Sequence, residues 1–267
     1  MSAQAIPPAR SSPAQPGAPK VLAKQSAIDE ALRLLEHLTS SGLTARALGG
    51  IAVAVRCPSA QSGALARSYS DLDLIVDRKS AHRLTPHLEE LGYTPDASFN
   101  AIHGRSRLMF AHAEHGHVDV FIDRFVMCHT LDLKRRLRLH PTTLAPADLL
   151  LTKLQVAELN RKDVTDTVAL VVDLPLSDAE DAINAEYVIE VLSSDWGWWR
   201  TVTANLELVQ CHLDDLSLDA ANRSRAYAAL EALRSGIDRS RKSLGWRLRA
   251  QVGDRLPWRD DPEESHG

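Results

Sequence analysis

The chain has 267 residues, 44% hydrophobic and 25% charged, a composition typical of a globular protein with a large core. The net charge of -4 excludes a global basic field, so a nucleic-acid partner would have to meet a local patch. The three cysteines fit neither a disulfide framework nor a zinc-ligand spacing, and no run of about 18 apolar residues occurs. We therefore predict a cytoplasmic protein without a signal peptide, a membrane span or a membrane partner.

The first half of the chain predicts helices and strands in alternation. A Pro-rich tail over residues 1–20, which we expect to be disordered, precedes a helix over residues 26–40 that Gly42 ends. The other elements expected here are a strand over 72–76, a helix over 80–91 with Ser80 as N-cap and Gly92 at its end, and a hairpin of strands 107–113 and 117–122.

The second half predicts helices only. Apolar periodicity indicates helices over 149–157, 164–172, 179–192, 198–216 and 221–243. The fold class is therefore α+β, a small mixed β-sheet flanked by helices, with a C-terminal helical bundle. We expect a core over 21–145, a helical domain over 146–258 and a frayed tail over 259–267.

The segment from Ser70 to Val76 reads Ser-Asp-Leu-Asp-Leu-Ile-Val and carries two aspartates in a predicted strand. Residues two apart in a strand share a face, so Asp71 and Asp73 would stand side by side. Close carboxylates repel unless a cation lies between them, and Mg²⁺ prefers such ligands. The alternative is a turn or edge strand with two solvated aspartates.

Two further features favour the metal hypothesis. Gly49 and Gly50 would let backbone N–H groups approach a phosphate at the start of a helix, although paired glycines also occur in plain helix-entry turns. Asp119 interrupts an apolar strand and would complete a two-metal site. Alternatively, Asp119 and Asp123 lie on the wet face of this strand, and Asp123 competes for the role of third ligand.

This ordered set of motifs resembles the polymerase-β-like nucleotidyltransferase superfamily over roughly residues 45 to 172. The resemblance implies the nucleotidyltransferase fold, a glycine pair that cradles the triphosphate, and three carboxylates that bind two Mg²⁺ ions, with Mn²⁺ as the alternative. Many members carry Gly-Ser at the first motif, where this chain has Gly-Gly.

Gly-Gly and the long spacer look closer to the branch that holds abortive-infection toxins of toxin–antitoxin pairs. Members of that branch often carry an arginine and a serine before the Asp-x-Asp motif, as Arg67 and Ser70 stand here. They also tend to carry a helical lysine and a basic-Asp-x-x-Asp element, which Lys153 and the segment ending in Asp166 resemble. The resemblance thus implies that an antitoxin is a partner. It also implies a set of nucleotide-binding residues: Gly49, Gly50, Arg67, Ser70, Lys153 and Asp166.

The secondary candidates each keep a structural alternative. Lys153 would neutralise triphosphate charge or else snorkel at the edge of its helix. Arg67 would bind phosphate, orient Asp71 or be solvated. We interpret Asp163 as a first-turn acid of a helix and Asp166 as a residue that supports the site.

Two clusters of side chains have weaker interpretations. The histidines around the hairpin turn lack the spacing of a metal site and are more readily explained by the turn itself: His112, His115 and His117. The basic segment 234–259 would grip RNA, with Trp246 and Trp258 stacking on bases, or be an amphipathic helix with solvated arginines. The tryptophans at 196, 198 and 199 pack in the helical half or line an acceptor pocket.

From these residues we predict an enzyme that moves a nucleoside monophosphate from an NTP to an acceptor hydroxyl of a tRNA, a protein or a small molecule. Asp71, Asp73 and Asp119 would be its catalytic and metal-binding residues. The alternative is a catalytically inactive nucleotide- or partner-binding module on the same fold.

Overall fold

The chain is α+β, built around one small mixed sheet with helices packed against it, as the sequence predicts. A computed structural model describes residues 24–69 and 71–260. The predicted tail over residues 1–20, Ser70, and residues 261–267 of the predicted C-terminal tail lie outside the described residues.

The main sheet has the order β1-β2-β5-β4-β3. Its strands are β1 (Ala45–Leu48), β2 (Asp71–Val76), β3 (Thr94–Pro95), β4 (Arg107–His112) and β5 (Gly116–Ile122). The central pair β2 and β5 is parallel and the other pairs are antiparallel. Four shorter strands form two separate pairs, β6 (Arg124–Val126) with β7 (Thr130–Asp132) and β8 (Leu176–Ser177) with β9 (Ile183–Asn184).

Four helices surround the sheet within the first half of the chain: α1 (Lys24–Ser40), α2 (Gly49–Arg56), α3 (Arg78–Glu90) and α4 (Ala97–His103). The second half contributes α5 (Pro146–Leu154), α6 (Arg161–Asp173), α7 (Ala185–Ser194), α8 (Trp196–Cys211), α9 (Ala220–Arg239) and α10 (Leu244–Val252). None of the described helices combines the length and apolar character needed to cross a membrane.

The prediction that Ser80 is the N-cap of α3 was wrong. Asp77, not Ser80, is its N-cap, and the Asp77 carboxylate accepts a hydrogen bond of 2.7 Å from the Ser80 N–H. The Ser80 hydroxyl instead accepts a hydrogen bond of 2.8 Å from the Thr44 N–H. Serine and aspartate are both good N-caps, so local sequence alone did not distinguish them. Gly92 follows the end of α3 with a φ of +87°, as expected for a residue after a helix.

Three of the predicted C-terminal helices are shorter than their apolar periodicity suggests. The helix predicted over 198–216 is α8, which ends at Cys211. The helix predicted to start at residue 179 starts at Ala185, because the side chain of Asn184 caps it and accepts a hydrogen bond from the Tyr187 N–H. The helix predicted to run to residue 243 stops at Arg239. Ser243 then caps α10, so its hydroxyl begins a new helix where periodicity alone continues the old one.

One hydrophobic cluster runs through both halves of the chain. It contains strand residues such as Leu74 and Val120 together with residues of the later helices such as Leu150, Leu170 and Leu206. Helix α6 packs against both α2 and α9, so it connects the sheet half with the helical half. The later helices therefore share a core with the sheet, and they bring their polar side chains to it.

Candidate functional site

The parallel pair β2 and β5 brings the predicted carboxylates together. Asp73 lies directly beside Asp119 in the register, and Asp71 lies beside His117. Paired residues on neighbouring strands share a face of the sheet and are about 4.8 Å apart. The aspartates at 71, 73 and 119 thus lie on one face of the sheet, on its central strands β2 and β5, and we call them the carboxylate site.

The sequence of β2 explains this placement. Leu72 and Leu74 are buried in the core, so Asp71 and Asp73, which alternate with them along the strand, point to the other face. Val118 and Val120 do the same for Asp119 in β5. Asp71 begins its strand and is exposed, whereas Asp73 and Asp119 are partly buried.

The electrostatic environment of Asp73 is unfavourable for a bare carboxylate. Burial, followed by the neighbouring Asp119, raises the pKa of Asp73 from 3.8 to about 7, while Lys153 opposes the shift. Within residues 24–69 and 71–260, no group donates a hydrogen bond to the Asp73 carboxylate, although the side chain is partly buried. Asp73 is therefore a site where a proton or a metal cation would be stabilised.

Gly49 and Gly50 lie directly against this site at the start of α2. Gly49 has a φ of +67°, and a Cβ placed on it would lie 2.0 Å from the Asp73 Oδ2 atom. A Cβ on Gly50 would lie 1.7 Å from the Arg67 Nη2 atom. The N-cap residue of α2 is Leu48, which offers no capping hydrogen bond. The first N–H groups of α2 thus lie beside the carboxylates without a side-chain cap, as an anion-binding helix start requires.

Arg67, Lys153, Asp163 and Asp166 form a second group, which we call the Lys153 cluster. The Lys153 ammonium lies 2.8 Å from the Asp166 carboxylate and 3.5 Å from that of Asp163. Arg67 donates two hydrogen bonds of 2.8 and 2.7 Å to the two oxygens of Asp166. Only 13% of the Lys153 side chain is exposed, so the snorkelling interpretation was wrong.

The charges of this cluster stabilise one another. Burial lowers the pKa of Lys153, but Asp166 and Asp163 raise it more, so the ammonium stays protonated. Burial raises the pKa of Asp166, but the hydrogen bond from Arg67 and the charge of Lys153 lower it below its usual range. Asp166 therefore forms ion pairs with two basic side chains, Arg67 and Lys153. Lys153 is also close enough to Asp73 to lower the pKa of that carboxyl group. Asp163 lies in the first turn of α6, as expected, but Asn160 is the N-cap.

Arg107 is a further residue of the site, which no sequence motif indicated. Its guanidinium donates hydrogen bonds of 2.7 and 2.9 Å from Nε to the two Asp119 oxygens, and Nη2 contacts Asp119 as well. In the hairpin, Met109 pairs with Asp119, so Arg107 is its diagonal neighbour on the same face. The register of the predicted hairpin was the signal that could have identified it.

Asp123 does not belong to the carboxylate site. It follows β5 with a φ of +61°, and its side chain accepts a hydrogen bond of 3.0 Å from the Arg78 N–H at the start of α3. Its carboxylate also lies 3.6 Å from Arg78 Nε. The competition between Asp119 and Asp123 is thus resolved by position, because only Asp119 lies beside Asp73.

The tryptophans of the helical half surround a cavity of about 700 Å³. Trp196 and Trp198 line it together with Trp246 and Trp258 from the basic C-terminal segment. The cavity also includes His129, whose N–H donates a hydrogen bond of 3.0 Å to the Gln155 side chain just after α5. Trp199 packs edge-on against Trp246 instead.

The histidines around the hairpin turn have local roles. The His112 ring nitrogen accepts hydrogen bonds from the N–H groups of Glu114 and His115, and the His115 ring lies 3.7 Å from Glu30. His117 is exposed. Within 24–69 and 71–260, these three histidines do not form a three-ligand group.

No family model matches the chain, and no curated protein matches it. The functional proposal therefore depends on the geometry and charge of the carboxylate site and the Lys153 cluster. Ser70, the remaining predicted nucleotide-binding residue, lies outside the described residues.

Proposed function

We propose that the protein is a metal-dependent nucleotidyltransferase that moves a nucleoside monophosphate from an NTP to an acceptor hydroxyl. The observation that carries the proposal is the side-by-side register of Asp73 and Asp119 against the uncapped start of α2 at Gly49. A carboxylate pair is suited to hold divalent cations, and a helix start is suited to hold phosphates. Their contact supports a site for a metal-bound triphosphate.

The residues present fit Mg²⁺, or Mn²⁺ as its alternative. Asp71, Asp73 and Asp119 offer the oxygen ligands that these ions prefer, and Asp73 carries a raised pKa that a cation would lower. When bound, the ions would neutralise triphosphate charge and lower the pKa of the acceptor hydroxyl. Asp119 would have to release Arg107 to become a ligand.

The chain's own groups would position the triphosphate. The backbone N–H groups at Gly49 and Gly50 would donate to its phosphate oxygens, and Lys153 would neutralise the charge that develops on the leaving pyrophosphate. Asp166, held by Arg67, keeps the Lys153 ammonium in place. The acceptor oxygen would form a bond to the α-phosphorus as the bond to the pyrophosphate oxygen breaks. The proton of the hydroxyl would pass to Asp119 or to water.

The acceptor would be a tRNA end, a protein side chain or a small molecule such as an antibiotic. We propose the tryptophan-lined cavity as the place for a bulky acceptor. One of its lining residues, His129, donates its backbone N–H to the side chain of Gln155, which follows the helix that carries Lys153. A cytoplasmic location and an antitoxin partner belong to the same proposal. The location follows from cysteines that fit no disulfide framework, and the antitoxin partner follows from the resemblance.

The test measures pyrophosphate release from labelled NTPs with Mg²⁺, using bulk tRNA, the protein itself and hydroxyl-bearing antibiotics as acceptors. We expect Asp73→Asn and Asp119→Asn to reduce the rate by about 100-fold or more. The matched control is Asp123→Asn, which changes an aspartate just after β5 and outside the site and should retain wild-type activity. Release that survives in both site variants would defeat the assignment.

A second candidate is a nucleotide- or partner-binding module without catalysis. It is favoured by Arg107, which binds both carboxylate oxygens of Asp119 and so competes with a metal ion for the third ligand. Calorimetry with Mg·ATP distinguishes the two functions. Binding that depends on Gly49 and Lys153, without pyrophosphate release for any acceptor, would establish the module instead of the enzyme.

A further inference from the structure

A second candidate metal site lies away from the carboxylates, where α1 and α3 meet. His37 in the last turn of α1 faces His87 and Glu90 of α3, and the two imidazole rings meet edge to face with centroids 5.7 Å apart. One ligand atom from each of the three residues lies within 4.8 Å of the other two. In the part of the chain that the structure describes, this is the one such group of three.

The distances within this group match the edges of a tetrahedral zinc site. The Glu90 Oε2 atom lies 3.5 Å from His37 Nε2 and 3.7 Å from His87 Nδ1. Two ligands at about 2.1 Å from a zinc ion, at the tetrahedral angle, are about 3.4 Å apart. The group would therefore need shifts of only a few tenths of an ångström on these two edges.

Apart from Glu90, the described part of the chain offers no polar partner to the facing nitrogens of the two imidazoles. Both nitrogens that face Glu90, His37 Nε2 and His87 Nδ1, are buried and make no hydrogen bond to a described residue. Their separation from Glu90 is too long for a good hydrogen bond. Buried polar atoms without partners are destabilising, so two such atoms directed at one carboxylate indicate a missing ligand.

We propose that His37, His87 and Glu90 bind a Zn²⁺ ion that joins α1 to α3. Two imidazoles and one carboxylate suit zinc and its neighbours in the transition series, whereas Mg²⁺ and Ca²⁺ prefer oxygen ligands only. Glu90 is 63% exposed, so water has access to the fourth coordination position. The ion clamps the C-terminal ends of two helices that flank the sheet.

The ligand set also separates this site from the carboxylate site. Its donors are mainly nitrogen, and the carboxylate site offers only oxygen. Excess Mg²⁺ should therefore fill the carboxylate site without displacing zinc. The proposal does not depend on the nucleotidyltransferase assignment.

The test uses the untagged full chain, stripped with EDTA and dialysed against Zn²⁺ in excess Mg²⁺. We expect one zinc per chain and a higher thermal midpoint, because the ion binds only the folded arrangement. His37→Ala, His87→Ala and Glu90→Gln should each weaken zinc binding at least tenfold. Glu90→Gln is on the surface, so a loss of zinc in this variant does not arise from unfolding.

Two controls on the same helix match these variants. His82→Ala and Glu89→Gln change exposed residues of α3 and should bind zinc as the wild type does. Asp73→Asn should also keep its zinc, and Co²⁺ in the site should show the intense visible absorption of four-coordinate cobalt. Zinc below one equivalent, or equal losses in control and ligand variants, would overturn the proposal.

Discussion

At the level of single residues, Asp73 is the side chain on which the candidate chemistry depends. Gly49 contacts its carboxylate on one side, and Asp119 lies beside it on the neighbouring strand. Burial and repulsion by Asp119 raise its pKa to about 7, and among the described residues no group donates a hydrogen bond to it. Small changes at any of these neighbours should therefore alter both stability and metal binding.

Gly49→Ala should remove activity and destabilise the fold, because the new methyl group would overlap the Asp73 carboxylate. The positive φ alone costs about 1–2 kcal/mol for an alanine. Gly63→Ala is the matched control, since Gly63 has a φ of +72° and open space around its Cβ position. Pyrophosphate release and urea unfolding of both variants measure the difference. Equal losses of activity in the two would show that backbone strain, not the contact with Asp73, is responsible.

Asp73 should make the metal-free protein less stable as the pH rises from about 4 to 7. In this window the folded carboxyl keeps its proton while the unfolded one ionises, because the folded pKa is about 7 and the ordinary value is 3.8. The free energy of unfolding should fall by on the order of 2–4 kcal/mol and then stay level above pH 7.

Urea unfolding in EDTA across this range, compared between wild type and Asp73→Asn, isolates the contribution. The variant should lack this decrease and be more stable than wild type above pH 7. Parallel pH profiles of the two proteins would contradict the raised pKa.

At the level of elements, the β4–β5 hairpin determines that Asp119 is paired with an arginine. Its antiparallel register places Arg107 diagonally opposite Asp119, so β4 supplies the cation that neutralises the third carboxylate. The parallel pairing of β2 with β5 provides the other half of the geometry. Neither strand alone forms the site.

Arg107→Gln should enlarge the effect of Mg²⁺ on stability. Without the guanidinium, Asp119 and Asp73 repel each other in the metal-free protein, so the variant should unfold at a lower temperature and recover with Mg²⁺. We expect a shift of its thermal midpoint with Mg²⁺ at least twice that of the wild type. Arg105→Gln removes a nearby exposed arginine and serves as the control. Identical Mg²⁺ shifts in all three proteins would mean that Asp119 is not a ligand.

At the level of the whole molecule, the helical half is part of the site rather than an appendage. Lys153 and Asp166 come from α5 and α6, yet they meet Arg67 from the loop before β2. The shared hydrophobic cluster holds these elements together. The chain should therefore unfold in a single cooperative transition, even though its sequence suggests two regions.

Leu170→Ala tests this cooperativity, because Leu170 is fully buried in α6 between the two halves. We expect a loss of 2–5 kcal/mol, typical of a large-to-small change in a core, and a single transition by both fluorescence and circular dichroism. Leu208→Ala, at a 46% exposed position in α8, should change stability much less. Two separate transitions in the Leu170 variant would show that the halves unfold independently.

Local patterns were sufficient for the elements whose own residues determine them. The alternation of Leu72 and Leu74 with two aspartates predicted β2 and the shared face of its carboxylates, because strand geometry has a period of two. Helix boundaries were less predictable, since competing caps such as Asp77 and Ser80 differ only in their tertiary partners. The short edge strand β1 was missed because its four residues have no period of their own.

The sequence by itself determined the α+β class, the shared face of Asp71 and Asp73 in one strand, and the glycine pair at the start of a helix. These features follow from neighbours along the chain. Only the tertiary structure decided that Arg107 forms an ion pair with Asp119 and that His37 lies beside His87. Arg107 meets Asp119 through the register of the β4–β5 hairpin, which depends on two strands and not on neighbours along the chain. His37 and His87 lie far apart in the sequence, and only the packing of α1 against α3 brings them together.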